Sequence, residues 1–238
     1  MGRSRLPRPG EKVKTTLLVP TINEIIGVKA VMPQIDRSWV DEILIIDGNS
    51  SDGTYDYCVS QGYRVVSQKE PGVCAAWWEG FAAATGDIII LFSPDGNSDP
   101  KAIPRLVAKM HEGNWDAVIA SRYLGGAKSH DDSFLTYIGN RAFTKILNML
   151  FRSKYTDALV MYKAFKKSLL ETLSLHNRKD SVFEVMFCIR CAKYNIPVTE
   201  IPADEPARID ASDSRVHKGL WGRIRGGLWM IKTIWREL

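Results

Sequence analysis

Five short runs of aliphatic and β-branched residues punctuate the first half of the chain: KTTLLV at 14–19, EILII at 42–46, YRVVS at 63–67, DIIILF at 87–92 and DAVIA at 116–120. Between them the apolar positions return at helical spacing over residues 24–36, 53–61, 74–85 and 100–113, each stretch closing near Gly or a polar turn. Strand-like runs alternating with helical stretches predict an α/β fold, a mainly parallel twisted sheet covered by helices.

Past residue 121 the pattern changes. FLTYIGNRAFTKILNMLF at 134–151 predicts an amphipathic helix with a broad apolar face, and SLLETL and SVFEVMFCIRCAKYN predict two more. This half is expected to decorate the sheet without extending it. The last stretch, GLWGRIRGGLWMIKTIWREL, sets Leu220, Trp221, Ile224, Leu228, Ile231, Trp235 and Leu238 at helical spacing, opposite Arg223, Lys232 and Arg236. A basic helix with Trp on its apolar side suits a membrane interface. Docking of that stripe on the domain is the other reading, and Gly226 with Gly227 would weaken an isolated helix by about 1 kcal/mol each.

Composition narrows the class. With 238 residues, 45% apolar and 25% charged, the chain reads as one sizeable globular domain with a small appendage. No run approaches the roughly eighteen apolar residues of a spanning helix. MGRSRLPRPGEKVK lacks the apolar core of a secretory signal and Leu6 breaks the myristoylation pattern, so a cytoplasmic location is expected. The total charge of +5 is uneven: residues 1–14 carry +4 and residues 215–238 carry +5, which leaves 15–214 at −4. Basic ends suit anionic lipid, nucleic acid or phosphorylated ligands, and a solvated tail is the plainer reading for residues 1–14. Nucleic acid is not expected, because the aromatics among these basic residues follow a helical stripe.

Cys58, Cys74, Cys188 and Cys191 fit a reducing compartment. CIRC at 188–191 has redox or zinc spacing, yet no second CxxC or His pair completes four ligands, so these thiols read as small buried hydrophobes.

Candidate chemistry follows from sheet geometry. Ligands of open α/β sheets bind beyond the carboxyl ends of the strands, where this chain carries PTINE at 20–24, DGNSSDG at 47–53 and SPDGNSDP at 93–100. Ser51, Asp52 and Asp99 stand directly before helical stretches and read as caps. No GxGxxG follows the first strand and no GxxxxGKS occurs, which argues against a dinucleotide fold and a P-loop. Calcium loops fail as well: DGNSDP has Pro100 at the required Gly and Leu106 at the final Glu, and DGNSSDG has Asp52 at its Gly position.

VPTINE, IIDGNSSDGT, EPGVCAAWWEGFAAATGDIIILFSPDGNSDP and ASRYLGG occur in that order, followed by YTDALVMYKAFKK, IPVTEIPADEPAR and GLWMIKTI. In order and spacing the chain resembles the GT-A domain of the family two glycosyltransferases, and over nearly its whole length it is most similar to the dolichyl- and polyprenyl-phosphate sugar synthases. The resemblance implies an inverting transfer from a nucleotide-diphosphate sugar to a lipid phosphate at the cytoplasmic face of a membrane, with peripheral attachment. It implies a nucleotide-sugar half over 15–121, an acceptor half over 122–214 and a basic amphipathic helix over 215–238. By matching positions Pro20, Ile22 and Glu24 would line the nucleotide pocket and Asp47 would hold base or ribose.

The sequence departs from the family at Ser93-Pro94-Asp95-Gly96-Asn97, where Asp-Ala-Asp-Gly-Gln is typical. Asp95 and Asn97 would then hold Mg2+ or Mn2+ with the donor diphosphate, since magnesium binds through one or two carboxylates plus phosphates and waters. Ile22 stands where an aromatic is common, which leaves the base open. Arg122 matches the arginine of the family's SRY, and Arg208 with Arg215 resembles a late basic pair for diphosphate oxygens, Arg215 only after a one-residue insertion. A lipid phosphate is already largely anionic at pH 7, with its second pKa about 6, and needs no strong base. A hydroxyl acceptor would need one, and Asp157 is the candidate, with a structural cap as its other reading. A soluble transferase acting on a hydroxyl and a non-catalytic nucleotide-binding relative are the competing classes.

Overall fold

The computed structural model describes residues 13–175, 182–209 and 219–238, with the side chains of 219–225 outside the description. Its elements run β1 (Thr15–Thr21), α1 (Ile25–Val31), β2 (Glu42–Asp47), α2 (Thr54–Ser60), β3 (Arg64–Ser67), α3 (Val73–Ala83), β4 (Ile88–Leu91), α4 (Ala102–His111) and β5 (Ala117–Ser121). They continue through α5 (Phe134–Phe151), β6 (Lys163–Lys166), α6 (Leu169–Thr172), α7 (Phe183–Lys193), β7 (Val198–Pro202) and α8 (Gly219–Glu237). All five expected strands form, and helices occupy the expected intervals.

The strands make one sheet in the order β3-β2-β1-β4-β6-β5-β7. Pairing is parallel throughout except where β6 runs antiparallel to β4 and β5. The second half therefore extends the sheet, contrary to the expectation that it would only decorate it. The reason lies in β6 and β7: KAFK and VTEIP contain no apolar run, and tertiary burial holds them in place instead. Lys163 is fully buried, its Nζ makes no hydrogen bond among the described residues, and it lies 5.4 Å from the Phe187 ring centroid.

β1, β4 and β5 are buried along almost their whole length, which suits the LLV, IIIL and AVIA runs they carry. Under the sheet Phe81, Phe165, Phe183 and Phe187 meet at ring distances of 5.1 to 6.2 Å. Cys188 and Cys191 sit buried in α7 as free thiols, and burial pushes the Cys188 thiol up to about 11. On the opposite side α1 lies hard against the loop after β4. A Cβ on Gly27 would stand 2.5 Å from the Pro94 carbonyl oxygen, so the missing side chain sets how closely helix and loop approach.

α5 and α8 both pack on α7. The docking face of α8 is not its sequence-predicted apolar stripe: Thr233, Ile234 and Glu237 are buried, while Leu228, Ile231, Trp235 and Leu238 are exposed. Glu237 accepts from Arg190 Nε at 3.0 Å and Nη2 at 2.7 Å, and this buried pair anchors the helix. No described helix is long and apolar enough to cross a membrane.

Candidate active site

At the carboxyl ends of β1 and β2 the polar loops are stitched to each other. Asp47 closes β2 at 1% exposure; its Oδ1 accepts from Thr21 Oγ1 (3.1 Å) and Ser50 Oγ (2.6 Å), and its Oδ2 from the Ser50 backbone N–H (2.8 Å). The expected role of Asp47 in holding base or ribose is at odds with this geometry. A buried carboxylate must be hydrogen-bonded to be tolerated, and these bonds tie the two strand ends together. Asn23 Oδ1 accepts from the Ser51 N–H at 2.7 Å. Asp52 takes the N–H of both Thr54 and Ile25, and Asp99 that of Lys101, so both aspartates brace the entries to helices whose own N-cap positions are Gly53 and Lys101, one or two residues later than the sequence reading. Burial disfavours the charged form of Asp52, but the hydrogen bonds from Thr54 and Ile25 outweigh it and lower its pKa.

Pro20, Ile22 and Glu24 lie along the same edge, in β1, just after it and at the start of α1. Ile22 is 46% exposed, which makes it an apolar surface at the mouth of this region.

Beyond β4 the chain turns through Ser93, Pro94 and Asp95. Gly96 adopts φ 98°, a left-handed conformation that favours glycine. Asp95 Oδ1 accepts from the Asn97 N–H at 3.1 Å, and the Asp95 carbonyl from the Ile209 N–H at 2.9 Å. Ser93, Asp95, Asn97, Arg122, Glu205 and Arg208 line one cavity of about 290 Å3. Pro94 is buried beneath it against α1.

Arg208 Nε stands 3.1 Å from Asp131 Oδ2 and 3.6 Å from Asp95 Oδ2. Its guanidinium therefore rests between the carboxylate expected to bind metal and a second acid. Arg215 lies outside the described residues.

Arg122 is placed differently from a free phosphate clamp. Its Nε donates to Asp157 Oδ2 at 2.6 Å and its Nη2 to Asp157 Oδ1 at 3.0 Å, while Nη1 faces Glu205 Oε2 at 3.3 Å and Asp132 Oδ2 at 3.9 Å. Burial opposes the charge on Arg122, but the Asp157 hydrogen bonds and the charges of Asp157 and Glu205 outweigh it, so its pKa is raised. Asp157 is fully buried, and its Oδ1 also accepts from the N–H groups of Leu159 and Val160. Of its two sequence readings the geometry matches the structural cap: every position from which it could take a substrate proton is occupied. Burial likewise raises the pKa of Glu205, with Arg122 opposing.

Asp131, Asp132 and Glu205 had no signal in the sequence pattern. Acidic residues in irregular loops carry no periodicity, and only the quoted segment IPADEPAR touched one of them.

Among the described residues no group of three or more His, Cys, Asp and Glu side chains could hold a metal ion. The donor set present is one carboxylate, Asp95, with the Asn97 amide beside it. Such a set fits a hard cation that keeps waters and takes phosphate oxygens from a bound donor.

The sequence model of the family described as glycosyl transferase family 2 matches residues 16–174. The dolichol-phosphate mannosyltransferase of Pyrococcus furiosus is 27% identical over 180 residues, 69% of this chain and 49% of the relative. The undecaprenyl-phosphate 4-deoxy-4-formamido-L-arabinose transferase of Salmonella paratyphi A is 26% identical over 213 residues, 82% of this chain and 60% of the relative. The chain thus spans about half to three fifths of the length of these relatives. The crystal structure of glucosyl-3-phosphoglycerate synthase from Mycobacterium tuberculosis with Mn2+, UDP and phosphoglyceric acid superposes with a TM-score of 0.68 at 20% identity, covering 93% of this chain and 76% of that one. This likeness shows the fold, the GT-A arrangement.

Proposed function

The chain belongs to glycosyl transferase family 2, and from that membership we propose that it moves a sugar from a nucleotide-diphosphate sugar, of GDP-mannose or UDP-glucose type, to a polyprenyl or dolichyl phosphate at the cytoplasmic face of a membrane. Two relatives named for dolichol phosphate and undecaprenyl phosphate support the acceptor class.

The observation that carries the lipid acceptor is a pair of apolar stripes that no described residue covers, on helices packed against the same neighbour. Along α5, Leu135, Ile138, Ile146 and Met149 are 45 to 73% exposed, with Arg141 and Lys145 on the same helix and no acidic residue in it. Along α8, Leu228, Ile231, Trp235 and Leu238 are exposed next to Lys232 and Arg236. Because α8 docks through another face, its apolar stripe is free to enter a lipid interface, where anionic headgroups attract the neighbouring cations.

The chemistry asked of the site is modest. An acceptor phosphate oxygen bonds to the anomeric carbon as the bond to the donor's β-phosphate oxygen breaks, and the nucleoside diphosphate leaves with that electron pair, inverting the carbon. The acceptor is already anionic. This matches an Asp157 whose oxygens are committed to Arg122 and backbone amides. Arg208 is the described cation able to turn from Asp95 and Asp131 toward diphosphate oxygens, since its side chain keeps 30% exposure. Asp95 and Asn97 would hold Mg2+ or Mn2+, which when bound neutralises charge on the leaving diphosphate.

The test is nucleoside diphosphate release by the purified chain from GDP-mannose and UDP-glucose with Mg2+ or Mn2+, with and without a short polyprenyl phosphate. Release that depends on the lipid phosphate is expected. Release indifferent to it would move the acceptor to a hydroxyl, and none at all would make the serine at 93 a mark of lost catalysis.

A further inference from the structure

A cavity of about 520 Å3 lies between α5 and the segment 155–156 that leads into Asp157. Tyr137, Arg141 and Lys145 line it at steps of four residues, which sets them one above another on the helix, and Ile138 and Ala142 form the neighbouring row. None of its lining residues lines the cavity that holds Asp95, Asn97 and Arg208.

The polar atoms of the wall sort into engaged acceptors and free donors. Asn148 Oδ1 accepts from Ser153 Oγ and the Tyr155 N–H, and its Nδ2 donates to Tyr155 O. Thr144 Oγ1 takes the Ala158 N–H, and Thr156 Oγ1 meets Ser121 Oγ at 2.6 Å. Among the described residues, by contrast, neither Lys145 nor the Tyr137 hydroxyl has a hydrogen-bond partner. Arg141 makes one long contact, 3.5 Å from Nη1 to Thr156 O, and rests over the Tyr123 ring at 5.6 Å. No carboxylate lines the cavity, and α5 contains none. Two cations one turn apart and a hydroxyl, with no acid to neutralise them, suit an anion with several oxygens, such as a phosphate.

The apolar row points to what carries that phosphate. Ile138, 45% exposed, lines the cavity and also belongs to the exposed stripe of Leu135, Ile146 and Met149, so cavity and stripe share a wall. A free phosphate would leave the stripe in water, whereas a lipid sets its headgroup on Arg141 and Lys145 and its chains along the stripe. We propose that this cavity is a headgroup site for an anionic bilayer lipid, a phosphate site separate from the one where sugar is transferred. This rests on the membrane reading given above. The polyprenyl acceptor is the other lipid phosphate at such a surface, but its oxygen must reach the anomeric carbon beside Asp95, in a cavity that shares no residue with this one. A lipid seated here fixes the roll of α5 on the membrane, which diffuse attraction to a basic face does not.

The experiment is binding of the full chain to vesicles of phosphatidylcholine alone and of phosphatidylcholine with phosphatidylglycerol, for the unsubstituted protein, Arg141→Gln with Lys145→Gln, and Ala142→Phe. The unsubstituted chain should bind the phosphatidylglycerol vesicles about tenfold or more tighter, and the double variant should lose about that factor. Ala142→Phe keeps every charge and fills the cavity from an exposed position, so it should fold and lose the preference as well. A preference that survives Ala142→Phe means that the charges act diffusely, and it overturns the site. Equal binding of both vesicles by the unsubstituted chain overturns the site and leaves the membrane reading standing, whereas binding of neither overturns both. Vesicles carrying a short polyprenyl phosphate in place of phosphatidylglycerol are run in parallel. A loss in Ala142→Phe confined to those vesicles gives the cavity to the acceptor and overturns the assignment.

Discussion

Arg208 occupies the space beside Asp95 that a cation would take, its Nε 3.6 Å from the carboxylate Oδ2. A resident guanidinium lowers the attraction of Asp95 for a second positive charge, and Asp131, 3.1 Å away on the other side, holds it there. Arg208→Gln should therefore strengthen Mn2+ binding in the absence of nucleotide by a few-fold, while reducing sugar transfer through loss of a phosphate donor. Titration of Mn2+ followed by electron paramagnetic resonance reads the first effect. Unchanged or weaker Mn2+ binding would show that Arg208 and metal do not compete.

Arg122 and Asp157 form a pair in which one partner is fully buried. Asp157→Asn leaves a buried guanidinium short of a charge, and breaking such pairs costs about 3 kcal/mol. Urea unfolding should show a loss near that size. If instead stability held and only the rate of transfer fell, Asp157 would be the base after all.

Glu184, at the start of α7, has its pKa raised above 4.5 by burial, with Lys163 opposing. A carboxyl raised in the folded state contributes stability that is fully present below its unfolded pKa and is lost as pH rises through the folded one. Glu184→Gln removes that loss. Thermal midpoints from pH 4 to pH 8 should shift steadily in the variant's favour relative to the unsubstituted protein, and parallel curves would refute the assignment.

The α5 and α8 stripes make a separable prediction. Trp235 is 76% and Met149 73% exposed, so Trp235→Glu and Met149→Glu should leave the thermal midpoint almost unchanged. The same substitutions should abolish flotation with anionic vesicles. Vesicle binding that survives both would place the contact elsewhere on the chain.

What the sequence made legible follows from what its patterns encode. β1, β2 and β4 announced themselves because strands covered on both faces are continuous in Val, Ile and Leu, and α5 because its apolar spacing is regular over 134–151. β6 was invisible because Lys163 and Lys166 bracket only Ala164 and Phe165, and the strand owes its place to β4 and β5 on either side. In the site, the loop positions of Asp95, Asn97 and Arg208 were legible and they do line one cavity. The partners of Arg122 were not, since Asp157 and Glu205 reach it from segments 35 and 83 residues away and pairing at that distance leaves no local pattern. The docking face of α8 was not legible for a related reason: Glu237 is held by Arg190 from a segment 47 residues away.

Product identity tests the central claim most directly. The purified chain, supplied with Mn2+, its preferred nucleotide sugar and a short polyprenyl phosphate, should yield a glycosyl phosphoprenol heavier than the acceptor by one sugar residue in mass spectrometry, and Asp95→Asn should abolish it. A sugar found on any other acceptor, or an unmodified lipid alongside released nucleoside diphosphate, would contradict it.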